Sequence, residues 1–173
     1  MTRIGILTIS DRASRGEYED ASGAAIEGWL KRAVTSNWQS LRRIVPDGVG
    51  SVADAMIALS DRDEADLLLT TGGTGPAPRD RTPEAMREVI GMELPGFGEL
   101  MRRISFESVA TAILSRQTAG VRGRTLIINL PGKPTSIEVC LGAVFPAIPY
   151  CLELIGASPI DINPDVCKAF QPM

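Results

Sequence analysis

The sequence predicts an α/β protein in which a parallel sheet is flanked by helices. Three observations carry this expectation. Short apolar runs alternate with segments of helical period along the chain, the pattern of strands joined by helices. Residues 66–70 (DLLLT) are continuously apolar rather than alternating, which suits a strand buried on both faces. No internal repeat, low-complexity tract or linker interrupts the 173 residues. That length suits one domain over residues 1–173, able to bury roughly 70% of its unfolded surface.

The elements follow in order. Residues 3–9 read as the first strand. Residues 20–34 read as a helix, because Ala21, Ala25, Trp29 and Ala33 form one i,i+4 row and Ile26, Leu30 and Val34 another. Residues 40–45 read as a second strand ended by Pro46, and residues 48–60 as a helix with Val52, Met56 and Leu59 on one side. After the strand at 66–70, Thr82 and Pro83 look like a helix cap and a first helical residue. Helical period resumes over 97–108, with Phe97, Met101 and Ile104 in register. Residues 125–130 (TLIINL) read as the last strand, 134–144 as a helix, and a short helix follows Pro149. Residues 109–124 are given no element beyond a turn or hairpin suggested by Gly120 and Gly123. Trp29, Trp38 and Phe97 are expected to pack rather than to stack on a ligand.

Composition narrows the chemistry. The net charge of -3 argues against a broad nucleic-acid or anionic-membrane surface. The chain has no histidine, which removes Ser–His and Cys–His catalysis and argues against a zinc site. Cys140, Cys151 and Cys167 form no C-x-x-C pair and read as free thiols in a reducing compartment. The start, MTRIGILTISDR, has too short an apolar run for a secretory signal. No apolar stretch is expected to reach the ~18 residues of a membrane span. The expected location is the cytoplasm.

In open parallel sheets ligands bind at the carboxyl ends of the strands, and four strand ends here carry unusual residues. The richest is Thr71, Gly72, Gly73, Thr74 and Gly75, followed by Arg79, Asp80 and Arg81. Three glycines let backbone N–H groups turn inward around an anion. The arginines add bidentate phosphate donors, and Asp80 adds a hard oxygen ligand suited to magnesium. The segment is neither a P-loop, which needs a Gly-Lys-Ser/Thr ending, nor a dinucleotide fingerprint, because Pro78 stands where the third glycine belongs. Asp47 alone reads as a turn residue or cap; a strand order that brings it near Asp80 would let the two share a metal. Ser10 and Asp11, with Arg12, read as a cap or ion pair, or as ligand groups. Pro131, Gly132 and Lys133 read as a turn that starts a helix, with a lysine able to reach phosphate. Residues 113–117 (ILSRQ), Ser115 among them, offer polar pocket groups, and Arg116 reads equally as a surface or interface residue.

Residues 71–85 (TGGTGPAPRDRTPEA) closely resemble the signature of the molybdopterin adenylyltransferase family. So do ISDR at 9–12, IVPD at 44–47, LPGFG at 94–98, TAILSRQ at 111–117 and LPGKP at 130–134. These matches stand in the family's order and cover nearly the whole chain. The resemblance implies a three-layer α/β sandwich with a mostly parallel central sheet, and a homotrimer. It implies that ATP and molybdopterin bind at the strand ends with Mg2+, and that AMP is joined to the terminal phosphate of molybdopterin with release of pyrophosphate. A molybdenum insertase would take the product. The aspartates matching Asp47 and Asp80 are functionally important in that family. Some members carry extra residues after the helix that follows LPGKP; here Leu141 runs straight towards Val144, Phe145 and Pro146, which implies a trimmed surface loop. A non-catalytic trimeric molybdopterin carrier or scaffold is the alternative reading. Molybdate insertion, hydrolysis of a nucleotide pyrophosphate and a dehydrogenase-like nucleotide domain stand behind it.

Overall fold

A computed structural model describes residues 1–172. β1 (Thr2–Ile9) is followed by a short α1 (Asp11–Ser14) and by α2 (Ala21–Ala33). β2 (Trp38–Val45) leads into α3 (Val49–Ile57), which ends in a π-helical turn, Ala58–Arg62. β3 (Leu67–Thr71), α4 (Thr82–Val89), β4 (Met92–Glu93) and α5 (Pro95–Phe106) come next, then a 3-10 turn, Ala110–Leu114. β5 (Ala119–Arg122) and β6 (Thr125–Leu130) form a hairpin, and α6 (Pro134–Val144) continues through Phe145–Ala147 into α7 (Ile148–Leu154).

The six strands lie in one sheet of order β2-β1-β3-β6-β5-β4. The first four are parallel, and β5 and β4 are antiparallel additions at one edge. The continuous apolar runs explain why both faces are covered. In β1, Ile4 and Ile6 face one core and Leu7 and Ile9 the other; in β3, Leu67 and Leu69 oppose Leu68. Helices α2, α5, α6 and α7 cover the first face, with Trp29 and Phe145 in tilted ring contact at 4.5 Å between centroids. Helices α3 and α4 cover the second. This is the three-layer, mostly parallel sandwich expected.

Several expectations need correction. Thr82 is not a cap: Arg81 holds that position, and the Thr82 hydroxyl instead donates to the Gly72 carbonyl at 2.9 Å. α3 closes at Ile57 rather than continuing as α-helix to 60, and α5 begins two residues earlier than expected, at Pro95. β4 and β5 were unassigned, because a two-residue strand and a four-residue strand containing Gly120 present too little periodicity to read. The run Pro134–Leu154 is, against expectation, one helix of 21 residues apolar enough to cross a membrane by length and composition. Pro146 and Pro149 mark a break in the sequence, which the chain spans with a single 3-10 turn. It is a core helix, with Ile137, Cys140, Leu141, Val144, Phe145, Ile148 and Leu152 all packed into the first core.

Candidate active site

The register of the sheet builds the site. Ile9 lies opposite Val45, Thr8 opposite Thr71, and Thr71 opposite Leu130. Four loops therefore leave the sheet at nearly the same level. Ser10 N–H extends the β1–β2 pairing by donating to the Val45 carbonyl at 2.9 Å. Ser10 Oγ also caps α1, accepting from Ala13 N–H.

Asp11 and Asp47 then grip each other's backbone. Asp11 N–H donates to Asp47 Oδ2 at 2.9 Å, and Asp47 N–H donates to Asp11 Oδ1 at 3.1 Å. Arg79 closes this pair from the third loop. Its Nε and Nη2 donate to the two Asp11 oxygens at 3.0 and 2.8 Å, and Nη2 also donates to the Asp47 carbonyl at 2.9 Å. Arg79 therefore holds the Asp11 carboxyl below its usual range. Asp47 is pushed the other way. Burial raises it most, the Asp11 N–H opposes this, and the negative charges of Asp11 and Asp80 raise it further. An acidic group in that setting gains from a nearby cation.

The glycine loop fits against this cluster. Gly72 and Gly73 have φ of +102° and +63°, conformations that side chains strain to adopt. A Cβ on Gly72 would stand 2.2 Å from the Ile9 carbonyl oxygen, and one on Gly73 2.4 Å from Thr82 Oγ1. Gly75 passes so close to Asp80 that a Cβ would lie 2.7 Å from Oδ2. Asp80 also accepts from Ala77 N–H at 3.1 Å. Thr71 Oγ1 donates to the Pro131 carbonyl at 2.8 Å, and Ser22 Oγ to the Gly132 carbonyl at 3.0 Å. The β6 loop is thus fastened beside the glycines.

The family described as "Probable molybdopterin binding domain" matches residues 5–150 of the chain. The chain belongs to that molybdopterin-binding domain family. It is 52% identical over 169 residues to a molybdopterin adenylyltransferase of Helicobacter pylori, across 98% of this chain and 96% of that protein. It is 43% identical over 182 residues to a molybdopterin adenylyltransferase of Escherichia coli, across 98% and 93%. Among solved structures, the molybdopterin biosynthesis enzyme MoaB of Thermus thermophilus matches with a TM-score of 0.84 and 44% identity, over 93% of this chain and 100% of that one.

In this member of the molybdopterin-binding domain family, the sequence-predicted residues divide by place. Ser10, Asp11, Asp47, Gly72, Gly73, Gly75, Arg79 and Asp80 converge at the strand ends. Thr71 and Thr74 are buried beneath them. Arg81 is exposed and pairs loosely with Glu84 at 3.8 Å. Lys133 is exposed at the start of α6. Ser115 lies apart, in a cleft of about 230 Å³ also lined by Arg87, Arg102, Arg116 and Thr118. Its hydroxyl donates to Gln117 Oε1. Among the described residues no three His, Cys, Asp or Glu side chains form a ready-made metal cage.

Arg116, open in the sequence between a pocket group and a surface or interface residue, turns inward to the glycine loop. It donates to the Gly75 carbonyl at 3.0 Å, the Asp80 carbonyl at 2.5 Å and Glu84 Oε1 at 2.5 Å, and its own N–H reaches the Thr74 carbonyl at 2.8 Å. It clasps both ends of the phosphate-loop candidate. No local pattern signals this, since its partners lie more than thirty residues away in sequence.

Proposed function

We propose that this protein transfers the adenylyl group of ATP to the terminal phosphate of molybdopterin, as a magnesium-dependent step of molybdenum-cofactor synthesis. What carries the reading is the coincidence of near-full-length identity to named molybdopterin adenylyltransferases with a carboxylate–arginine–glycine cluster at one sheet edge. The whole chain acts as one molybdopterin- and nucleotide-binding domain.

A phosphate oxygen of molybdopterin attacks the α-phosphorus of ATP. The bond to the bridging oxygen breaks, and pyrophosphate leaves with the electron pair. The nucleophile is already anionic, so a chain without histidine needs no general base. Positioning and charge neutralisation supply the acceleration. Mg2+ is commonly held by one or two carboxylates plus substrate phosphates, and Asp47 and Asp80 suit that role because their mutual repulsion is relieved by a cation. A Mg2+ ion held by Asp47 and Asp80 would supply charge neutralisation at the ATP phosphates. The Gly72–Gly75 turn donates N–H groups to phosphate. Arg79, held on Asp11, keeps the two aspartate loops in place, and Arg81 and Lys133 are free to reach phosphate. Ser115, with Arg87 and Arg102 beside it, suits the anionic pterin substrate.

The same reading includes a cytoplasmic homotrimer and delivery of the product to a molybdenum insertase. Exposed Phe106, Val109, Ile113 and Leu114 offer an apolar surface for a subunit contact. Pyrophosphate release from magnesium-ATP, measured with and without molybdopterin, tests the reaction; sedimentation tests the trimer. Pterin binding without ATP consumption would move the conclusion to a carrier or scaffold.

A further inference from the structure

The floor of the Ser115 cleft holds a glutamine that apolar packing does not call for. Gln117 lines the cleft but is only 2% exposed. Its backbone is fixed without help from its side chain. Arg102 Nη1 donates to the Gln117 carbonyl at 2.6 Å. That carbonyl also sits in a notch of α5, where a Cβ on Gly98 would lie 2.2 Å from the oxygen. The side-chain amide is therefore available for another task.

Ser115 Oγ donates to Gln117 Oε1. On the other side Gln117 Nε2 donates to Cys140 Sγ at 3.6 Å, and Cys140 Sγ lies 3.6 Å from Ser105 Oγ. Cys140 is fully buried, and burial pushes its thiol up, so it stays protonated. A row of polar side chains thus runs from α5 and α6, beneath the cleft, to its wall. Burying an amide costs free energy unless it is bonded, and apolar groups of the same shape often serve stability as well as a bonded pair. What the glutamine adds is direction. Ser115 has one proton, and Gln117 Oε1 takes it, so Ser115 offers lone pairs to the cleft. A hydroxyl set in this way accepts from an N–H and disfavours phosphate oxygens, which Arg87 and Arg102 suit instead. The pterin ring carries amino and ring N–H donors apart from its phosphate.

We infer that Gln117 is a positioning residue that fixes the Ser115 hydroxyl as a hydrogen-bond acceptor for an N–H group of the pterin ring. It acts through Ser115. The inference rests on the reading that Ser115 meets molybdopterin, and it adds the donor–acceptor sense of that contact and the buried side chain that sets it.

A double-mutant cycle tests this. Molybdopterin and, separately, magnesium-ATP are titrated calorimetrically, without oxygen, into wild type, Gln117→Met, Gln117→Glu, Ser115→Ala and the Ser115→Ala/Gln117→Met double variant. Thermal melting checks each fold. From the usual worth of one hydrogen bond, Gln117→Met weakens molybdopterin about 2- to 12-fold, leaves ATP within about twofold and melts close to wild type. Gln117→Glu, whose carboxylate still accepts the Ser115 proton, recovers most of that loss. In the Ser115→Ala background Gln117→Met costs nothing further, because its effect passes through the missing hydroxyl. In pyrophosphate-release assays the KM for molybdopterin rises while kcat holds. Unchanged molybdopterin affinity in Gln117→Met, the same loss with and without Ser115, or a Gln117→Glu variant no better than Gln117→Met overturns the inference. So does a matching loss for ATP with a lowered melting temperature, which marks Gln117 as a core residue only. Ser115→Ala that binds molybdopterin like wild type overturns the inference too, while pyrophosphate release leaves adenylyl transfer standing. The expected binding pattern without pyrophosphate release supports the positioning role and sinks adenylyl transfer instead.

Discussion

Replacing Arg116 by methionine tests whether the glycine loop is held from outside itself. The substitution keeps an apolar stem and removes every guanidinium bond. The lost ion pair with Glu84 is partly solvated, the Arg116 side chain being 36% exposed, so it contributes about 0.5–1 kcal/mol. The bonds to the Gly75 and Asp80 carbonyls contribute about 0.5–1.5 kcal/mol each. The sum is about 1.5–4 kcal/mol, which for a chain of this size lowers Tm by about 3–16 °C. The loop carrying Asp80 loses its outer support, and a displacement near 1 Å costs on the order of 10²-fold in kcat. Arg116→Lys rescues little, because an ammonium cannot span two carbonyls and a carboxylate as the guanidinium fork does. Acid gives a sign check. Arg116 holds Glu84 below its ordinary 4.5, so this stability is full above pH 4.5 and is lost as pH falls through the lower folded-state value. The gap between variant and wild type therefore narrows in acid. Thermal melting across pH and steady-state pyrophosphate release measure both effects. A variant with wild-type Tm and wild-type turnover at pH 7 would refute the clasp.

Three further outcomes follow from the same geometry. Asp80→Asn folds with a Tm near wild type and loses about 10²–10³-fold in turnover, the usual cost of one preorganised electrostatic group; undiminished turnover removes Asp80 from the machinery. Asp47→Asn raises Tm at pH 7 while activity falls. The folded protein holds Asp47 above its ordinary 3.8, so its ionised form weakens the fold at neutral pH, and the Tm gain vanishes once pH drops below 3.8 and Asp47 is protonated in both states. A Tm gain that persists unchanged in acid contradicts this. Gly72→Ala costs about 1–3 kcal/mol from its backbone conformation alone, and more from the 2.2 Å approach to the Ile9 carbonyl; urea unfolding reads the loss, and a neutral effect would mean that the loop has another shape.

Much of the fold was legible because its signals are local. Continuous apolar runs such as DLLLT and TLIINL mark strands buried on both sides, one residue from the observed β3 and coincident with β6, and Ile26, Leu30 and Ala33 mark the inward face of α2. β4 and β5 were not legible. They exist because Met92 and Glu93 find Val121 and Gly120 across a gap in sequence, and neither segment carries a pattern of its own. Thr82 shows how tertiary structure reassigns a local signal: its residue type suits a cap, but the glycine turn places the Gly72 carbonyl within reach of its hydroxyl, and that bond is made instead.

The candidate site divides in the same way. Residue types and order along the chain determined that a glycine turn, two arginines and two separated aspartates exist, because those chemistries belong to single residues and their immediate neighbours. Only the tertiary structure decided which of them meet. Asp11 and Asp47 lock together because β1 and β2 pair with Ile9 opposite Val45. Arg79 falls on Asp11 instead of standing free, and Arg116 reaches back to Gly75 and Asp80. Such contacts depend on register and crossover, which are set by packing two cores against opposite faces of one sheet, and no window of neighbouring residues contains that information.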